Sequence, residues 1–396
     1  MKEISQMNIK TTAKEISAIT ISALKKVNFL HLASTSASVL ISAVSVFVAV
    51  DISDRAEAIV VTGDPNDYIV KLGTGYDGVG QIGIQRVDLP EDMISSCTGS
   101  LLPTGLHILT AAHCFTQNTQ DLEGAISQKF VTSNAIVNFE SPTLSSISAS
   151  EFYIHSDWNG DFSEGNDIAI VKLANPAPSE ADRYDIYRNT DEIGQVATLV
   201  GYGKTGNGNT GDTISANFPG TKRYGQNVYE DFLGNLLENA KQITPNVISE
   251  VAGDTVLAYD FDNGLAINDA FGYFGFPNLG LGLNEVNSAP GDSGGPIFIN
   301  GLIAGITSFS RSTSFFGIPS DIDSEVNSSF GEFSFDTRVS SYASYIDDVL
   351  AGKIAPTYKI PEGSTVVGSV FALGALAIHS RFKRKAKQKL KSKVFR

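Results

Sequence analysis

From Ile59 onward the chain alternates short apolar runs with clusters of Gly, Asn, Asp, Ser and Pro. Ile59-Val60-Val61, Ile82-Gly83-Ile84, Ala135-Ile136-Val137, Ala169-Ile170-Val171 and Ala197-Thr198-Leu199-Val200 are of strand length, rich in β-branched residues and bounded by turn formers. Helical spacing is evident at Tyr342, Tyr345, Ile346, Val349 and Leu350, with Gly352 as the stop. Many short strands closed by one terminal helix predict an antiparallel all-β barrel or sandwich. The stretch from about Asn217 to Asn284 is atypical, with several Phe and Tyr among many glycines.

Two longer apolar runs lie outside this body. Lysines at positions 2, 10, 14, 25 and 26 precede the run Phe29–Val50, and Ala56-Glu57-Ala58 follows with the small-x-small pattern of a signal peptidase site. Residues 1–58 therefore read as a signal peptide and leader. At the other end, Val366–Ile378 is short for a membrane span of about 17–25 residues, yet the basic cluster from Arg381 could halt it with the positive end inside. The order Ile360-Pro361-Glu362-Gly363, apolar stretch, basic tail resembles a bacterial PEP-CTERM sorting signal. That resemblance implies removal by an exosortase-type enzyme; a tail anchor is the alternative. Either reading places the body outside the cytoplasmic membrane, secreted or at the cell surface.

Charge agrees with export. The last 16 residues hold nine basic residues, whereas residues 59–358 carry 13 Lys/Arg against 37 Asp/Glu. An acidic body excludes nucleic acid as an obvious partner. The two cysteines, Cys97 and Cys114, read in an exported chain as one disulfide. With five scattered histidines and no Cys/His cluster of zinc spacing, no metal or cofactor is expected. Tyr259-Asp260-Phe261-Asp262-Asn263-Gly264 lacks the spaced ligands of a calcium loop and reads as a solvated acidic turn.

Pro290-Gly291-Asp292-Ser293-Gly294-Gly295-Pro296 sets one hydroxyl among glycines, which let backbone N–H groups and a substrate approach the same point. A base and its orienting acid are available elsewhere. His113 ends the apolar run Leu109-Thr110-Ala111-Ala112 beside Cys114, and Asp167 begins the apolar strand Ile168–Leu173. Each alone would pass for a turn or a structural residue. Together, in the order His, Asp, Ser, they resemble the trypsin/chymotrypsin-like serine proteases. The resemblance extends to Cys97-Thr98-Gly99-Ser100-Leu101, Ile154-His155-Ser156-Asp157-Trp158, Gly201-Tyr202-Gly203, Gly305-Ile306-Thr307-Ser308-Phe309 and Asp336-Thr337-Arg338-Val339.

It implies two perpendicular six-stranded antiparallel β-barrels with a C-terminal helix: residues 59–190 carrying His113 and Asp167, residues 191–352 carrying Ser293, and residues 353–396 as linker and tail. It implies an exported serine endopeptidase acting on polypeptides without a cofactor. Ser293 would be the nucleophile, His113 the base and Asp167 its partner, with the Gly291 and Ser293 N–H groups as oxyanion hole. Ile59, freed by signal peptidase, would pair with Asp292. Asn287 stands at the base of the specificity pocket, where trypsins carry aspartate, with Ser308 and Ser310 beside the substrate. Ala289 replaces a usual cysteine, so a small or neutral substrate side chain is expected. A non-catalytic binding or adhesion protein on the same fold is the alternative; an esterase would instead show a Gly-x-Ser-x-Gly elbow and the order Ser, Asp, His.

Overall fold

The computed structural model describes residues 59–361 except 91–92, 121–125, 141–143, 215–219, 244–252 and 324. The leader and the tail segment from Glu362 lie outside the described residues.

Six strands form the first sheet: β1 (Val79–Arg86), β2 (Ile94–Leu101), β3 (His107–Thr110), β4 (Thr132–Phe139), β5 (Ser145–Ile154) and β6 (Ala169–Leu173). Every neighbouring pair is antiparallel, in the order β5-β4-β1-β2-β3-β6, and β6 returns to pair with β5. These six strands thus close into a barrel. One face of these strands lines its interior with Ile82, Leu101, Ile108, Val137, Phe152 and Val171, all fully buried.

Six more strands build the second sheet: β7 (Val196–Gly201), β8 (Arg223–Val228), β9 (Val256–Asp260), β10 (Pro296–Ile299), β11 (Leu302–Arg311) and β12 (Phe333–Arg338). Their order is β8-β7-β10-β11-β12-β9. The β10–β11 hairpin turns on Asn300 and Gly301, both at positive φ, as a two-residue hairpin requires. No ladder among the described residues joins β8 to β9, so this second sheet is a half-barrel rather than a closed one. The seam is crossed by the Asn227 side chain, which donates to the carbonyls of Asp260 (2.8 Å) and Val286 (2.9 Å), and by Glu230 N–H to Ala258 O (3.0 Å).

One face of this sheet packs Leu199, Leu257, Tyr259 and Ile297 together with Ile59 and Val61. The other face is covered by helix α1 (Leu233–Ile243), whose Leu233, Leu236, Leu237 and Ala240 meet Val256, Ala258, Phe333 and Phe335. The sequence reading missed α1, although its i, i+3, i+4, i+7 apolar spacing is the helical signature. The closing helix α2 (Ala343–Leu350) lies where the periodicity predicts it.

The ends of the body change sides. Val60 and Val61 pair with Asn287 and Val286, within the second half. Ile346 and Val349 of α2, and Ile360 beyond it, are buried in the core of the first barrel, and Tyr358–Lys359 pairs with β5. The body therefore continues through Ile360, past the boundary read at 352.

Candidate active site

His113 sits in a short turn after β3, and Asp167 lies two residues before β6, the strand paired with β3. That pairing brings two residues 54 positions apart face to face. Asp167 accepts from the His113 backbone N–H through Oδ1 (2.8 Å), while its Oδ2 lies 2.7 Å from His113 Nδ1. Ser308 Oγ donates to the same Oδ2 at 2.6 Å, and Thr337 Oγ1 donates to the Asp167 carbonyl at 2.9 Å. Burial pushes the Asp167 carboxyl up, but the facing His113 charge and the hydrogen bonds from His113 and Ser308 bring it below its ordinary value. The imidazole meets the Phe162 ring edge-on at 5.5 Å and stays partly open to solvent.

The serine turn is pinned to the first barrel. Ser293 O accepts from Thr98 N–H (2.8 Å), and Thr98 Oγ1 donates to Gly291 O (3.0 Å). Cys97 is bonded to Cys114, whose sulfur lies 3.8 Å from Ser293 O; a disulfide sulfur has no hydrogen to donate, so this is a contact. Cys97, Cys114 and His113 are close enough to suggest a metal cluster, but oxidised sulfurs are not thiolate ligands. Glycine is required at two points of the turn. A Cβ on Gly294 (φ +78) would strike Thr110 Oγ1 and Thr98 O, and one on Gly291 (φ +102) would strike Gly203.

Within the turn, the N–H groups of Asp292, Gly294 and Gly295 bond to Ala289, Thr307 and Asp292 carbonyls. Among the described residues, those of Gly291 and Ser293 have no acceptor in the protein. Behind the turn, Asp292 is buried and accepts from Gly203 N–H (2.8 Å), Ala289 N–H (2.9 Å) and Ile59 N–H (3.2 Å). Burial lifts its carboxyl to about 6, with these N–H groups pulling the other way. Ile59 is itself buried and held at φ +64, a region β-branched residues avoid.

The Trypsin family model matches residues 82–239, a span that includes His113 and Asp167 and ends before Ser293. Over 215 residues the chain is 27% identical to brachyurin from Leptuca pugilator, covering 54% of this chain and 75% of that protein. The chain is a serine endopeptidase, similar to the trypsins. Neuropsin, a serine protease expressed in the limbic system of mouse brain, aligns in structure with a TM-score of 0.45 at 15% identity, over 72% of this chain and 99% of that one.

In this endopeptidase, Asn287 is fully buried. Its Oδ1 accepts from Ser334 Oγ (2.6 Å) and Ser288 N–H (3.0 Å), and its Nδ2 has no partner. Ser334 Oγ also lies 2.9 Å from Ser310 Oγ and 3.1 Å from Ser288 Oγ. Asn287 and Ser310 are linked through Ser334, which the sequence reading did not single out. Ser308 differs: its hydroxyl is committed to Asp167. Asp336, also unforeseen, is fully buried, accepts from Tyr229 Oη at 2.8 Å, and is driven by burial to about 8.

Proposed function

We propose that this endopeptidase cleaves peptide bonds through Ser293, His113 and Asp167 by way of an acyl-enzyme. Ser293 Oγ attacks the scissile carbonyl carbon as His113 Nε2 takes its proton. The Gly291 and Ser293 N–H groups, uncommitted within the protein, stabilise the oxyanion. His113 then gives the proton to the departing amine, leaving an ester on Ser293. Water, deprotonated by the same imidazole, hydrolyses the ester and the proton returns to Ser293. The observation that carries this reading is the two-point hold of Asp167 on His113, at backbone N and at Nδ1, which fixes the tautomer with Nε2 free to act as base.

The pocket base supports a small or neutral substrate side chain. Asn287 offers an uncharged N–H, its surroundings are serine hydroxyls, and burial disfavours the charged form of Asp336. We further read residues 1–58 as a leader and the segment from Glu362 as a sorting signal or anchor. Signal peptidase cutting after Ala58 would then free Ile59 at Asp292, so that export itself completes the oxyanion hole.

A fluorophosphonate probe tests the chemistry. The protein starting at Ile59 should be labelled, and its Ser293→Ala variant should not. A folded parent that stays unlabelled would overturn the reading in favour of a binding protein on this fold.

A further inference from the structure

The seam of the second half-barrel gathers four carboxylates from separate parts of the chain. Glu230 follows β8, Asp260 ends β9, Asp262 lies two residues on, and Glu285 precedes the short strand Val286–Asn287. One carboxylate oxygen from each of Glu230, Asp260 and Asp262 lies within 4.8 Å of the others. Gly280, at φ +64, seats Glu285 against Asp262: a Cβ there would overlap Glu285 Oε2 and crowd Asp262 Cβ.

The surroundings are the reverse of a solvated acidic turn. Asp260, Asp262 and Glu285 are each 0% exposed. Asp260 Oδ2 accepts from Ala270 N–H (2.5 Å) and Phe271 N–H (3.1 Å), and Glu285 Oε2 from Leu281 N–H (3.1 Å). Among the described residues the other oxygens are buried with no hydrogen-bond partner: both of Asp262, both of Glu230, Asp260 Oδ1 and Glu285 Oε1. Burying one unpaired carboxylate is costly, and burying four together is far more so. Burial and mutual repulsion push all four carboxyls well above the ordinary range, and no cationic side chain figures among the main influences on them. Glu230 and Asp260 stand close enough to share a proton, which would relieve that pair and leave Asp262 and Glu285 as they are.

We propose that Glu230, Asp260, Asp262 and Glu285 form a calcium site that closes the seam between β8 and β9. The donors are all hard oxygens, without sulfur or imidazole, which excludes zinc and other soft-ligand ions. Calcium takes about 6–8 oxygens at about 2.3–2.6 Å, so its ligand oxygens lie up to roughly 5 Å apart, in keeping with the observed cluster. Magnesium keeps several waters, which a buried cluster of this kind cannot readily house. Asn227 already spans the same gap with its amide, and the cation would tie three further backbone segments across it. One of them leads through Val286 into Asn287, which pairs with Val60, so occupancy would also stiffen the pocket base and the seat of Ile59.

Calcium titration calorimetry and thermal unfolding of the full chain, carrying Ser293→Ala to prevent self-digestion, test this. Calcium at a hundred-fold excess over its Kd should raise Tm by about 5 °C or more relative to EDTA. The Asp262→Asn/Glu285→Gln variant should bind calcium at least about ten-fold more weakly. It should also unfold at a higher temperature than its parent in EDTA, because buried like charge has been removed. No calcium binding by the folded parent at millimolar concentration overturns the site, and that measurement needs no variant. Undiminished binding in the variant overturns the assignment of these residues, and equal affinity for magnesium overturns the choice of calcium.

Discussion

Asp167 receives three hydrogen bonds on its two carboxylate oxygens, two from His113 and one from Ser308. His113 and Asp167 were legible because each stands at the edge of an apolar strand within a recognisable local pattern. The Ser308 contact was not, since it joins residues 141 positions apart and depends on how the two halves meet. Asp336 was hidden for a similar reason: an Asp in a strand gives no sign that its oxygens will be sealed in. Its folded value of about 8 lies above the ordinary 3.8, so the fold favours the protonated acid. That contribution is full below pH 4 and is lost as pH rises from about 4 to about 8. Asp336→Asn keeps an acceptor for Tyr229 without the charge. It should match the parent near pH 4 and be more stable at pH 8 by at least about 1 kcal/mol, as measured by denaturant unfolding at the two pH values.

At the scale of elements, the disulfide joins β2 to the turn that carries His113, across a separation of 17 residues. Replacing both cysteines with alanine should cost about 3 kcal/mol in denaturant unfolding. It should also lower kcat more than it raises KM, because the same bond ties the turn carrying His113 to the strand whose Thr98 N–H holds the Ser293 carbonyl. The strands themselves were readable from β-branched runs between turn formers, and α2 from its period. Two elements misled. Helix α1 falls in a glycine- and aromatic-rich stretch whose irregular look masked a sound helical stripe. Asp260 and Asp262 read as a solvated turn because their segment lacks the spaced ligands of a calcium loop, whereas their burial comes from Glu230, Glu285 and the loop around Gly280. Burial of that kind is decided by tertiary contact and leaves no local pattern.

At the scale of the whole molecule, Ile59 supplies the clearest link between processing and chemistry. While Ala58 remains attached, Ile59 holds an unfavourable φ and gives the buried Asp292 only an amide N–H. On the proposed cut after Ala58, the φ constraint would be removed and the amide would become an ammonium. The form beginning at Ile59 should therefore unfold at higher temperature than the extended chain at pH 7. The amine gains a carboxylate partner, so its folded pKa is raised above an unfolded value of about 8. Its contribution is full below that pH and is lost as pH rises through the folded value. Calorimetry of both forms across pH 6–10 checks this, and equal stability at pH 7 would refute it. The exchange of ends carries one more consequence. The amino-terminal strand completes the half that holds Ser293, and the carboxyl-terminal helix and Ile360 complete the barrel that holds His113. A cut in the connection near residue 190 would yield two fragments, each keeping a piece of the other's interior. Such fragments would behave as an obligate pair, inert apart and reconstituted on mixing, which makes this fold a natural split enzyme.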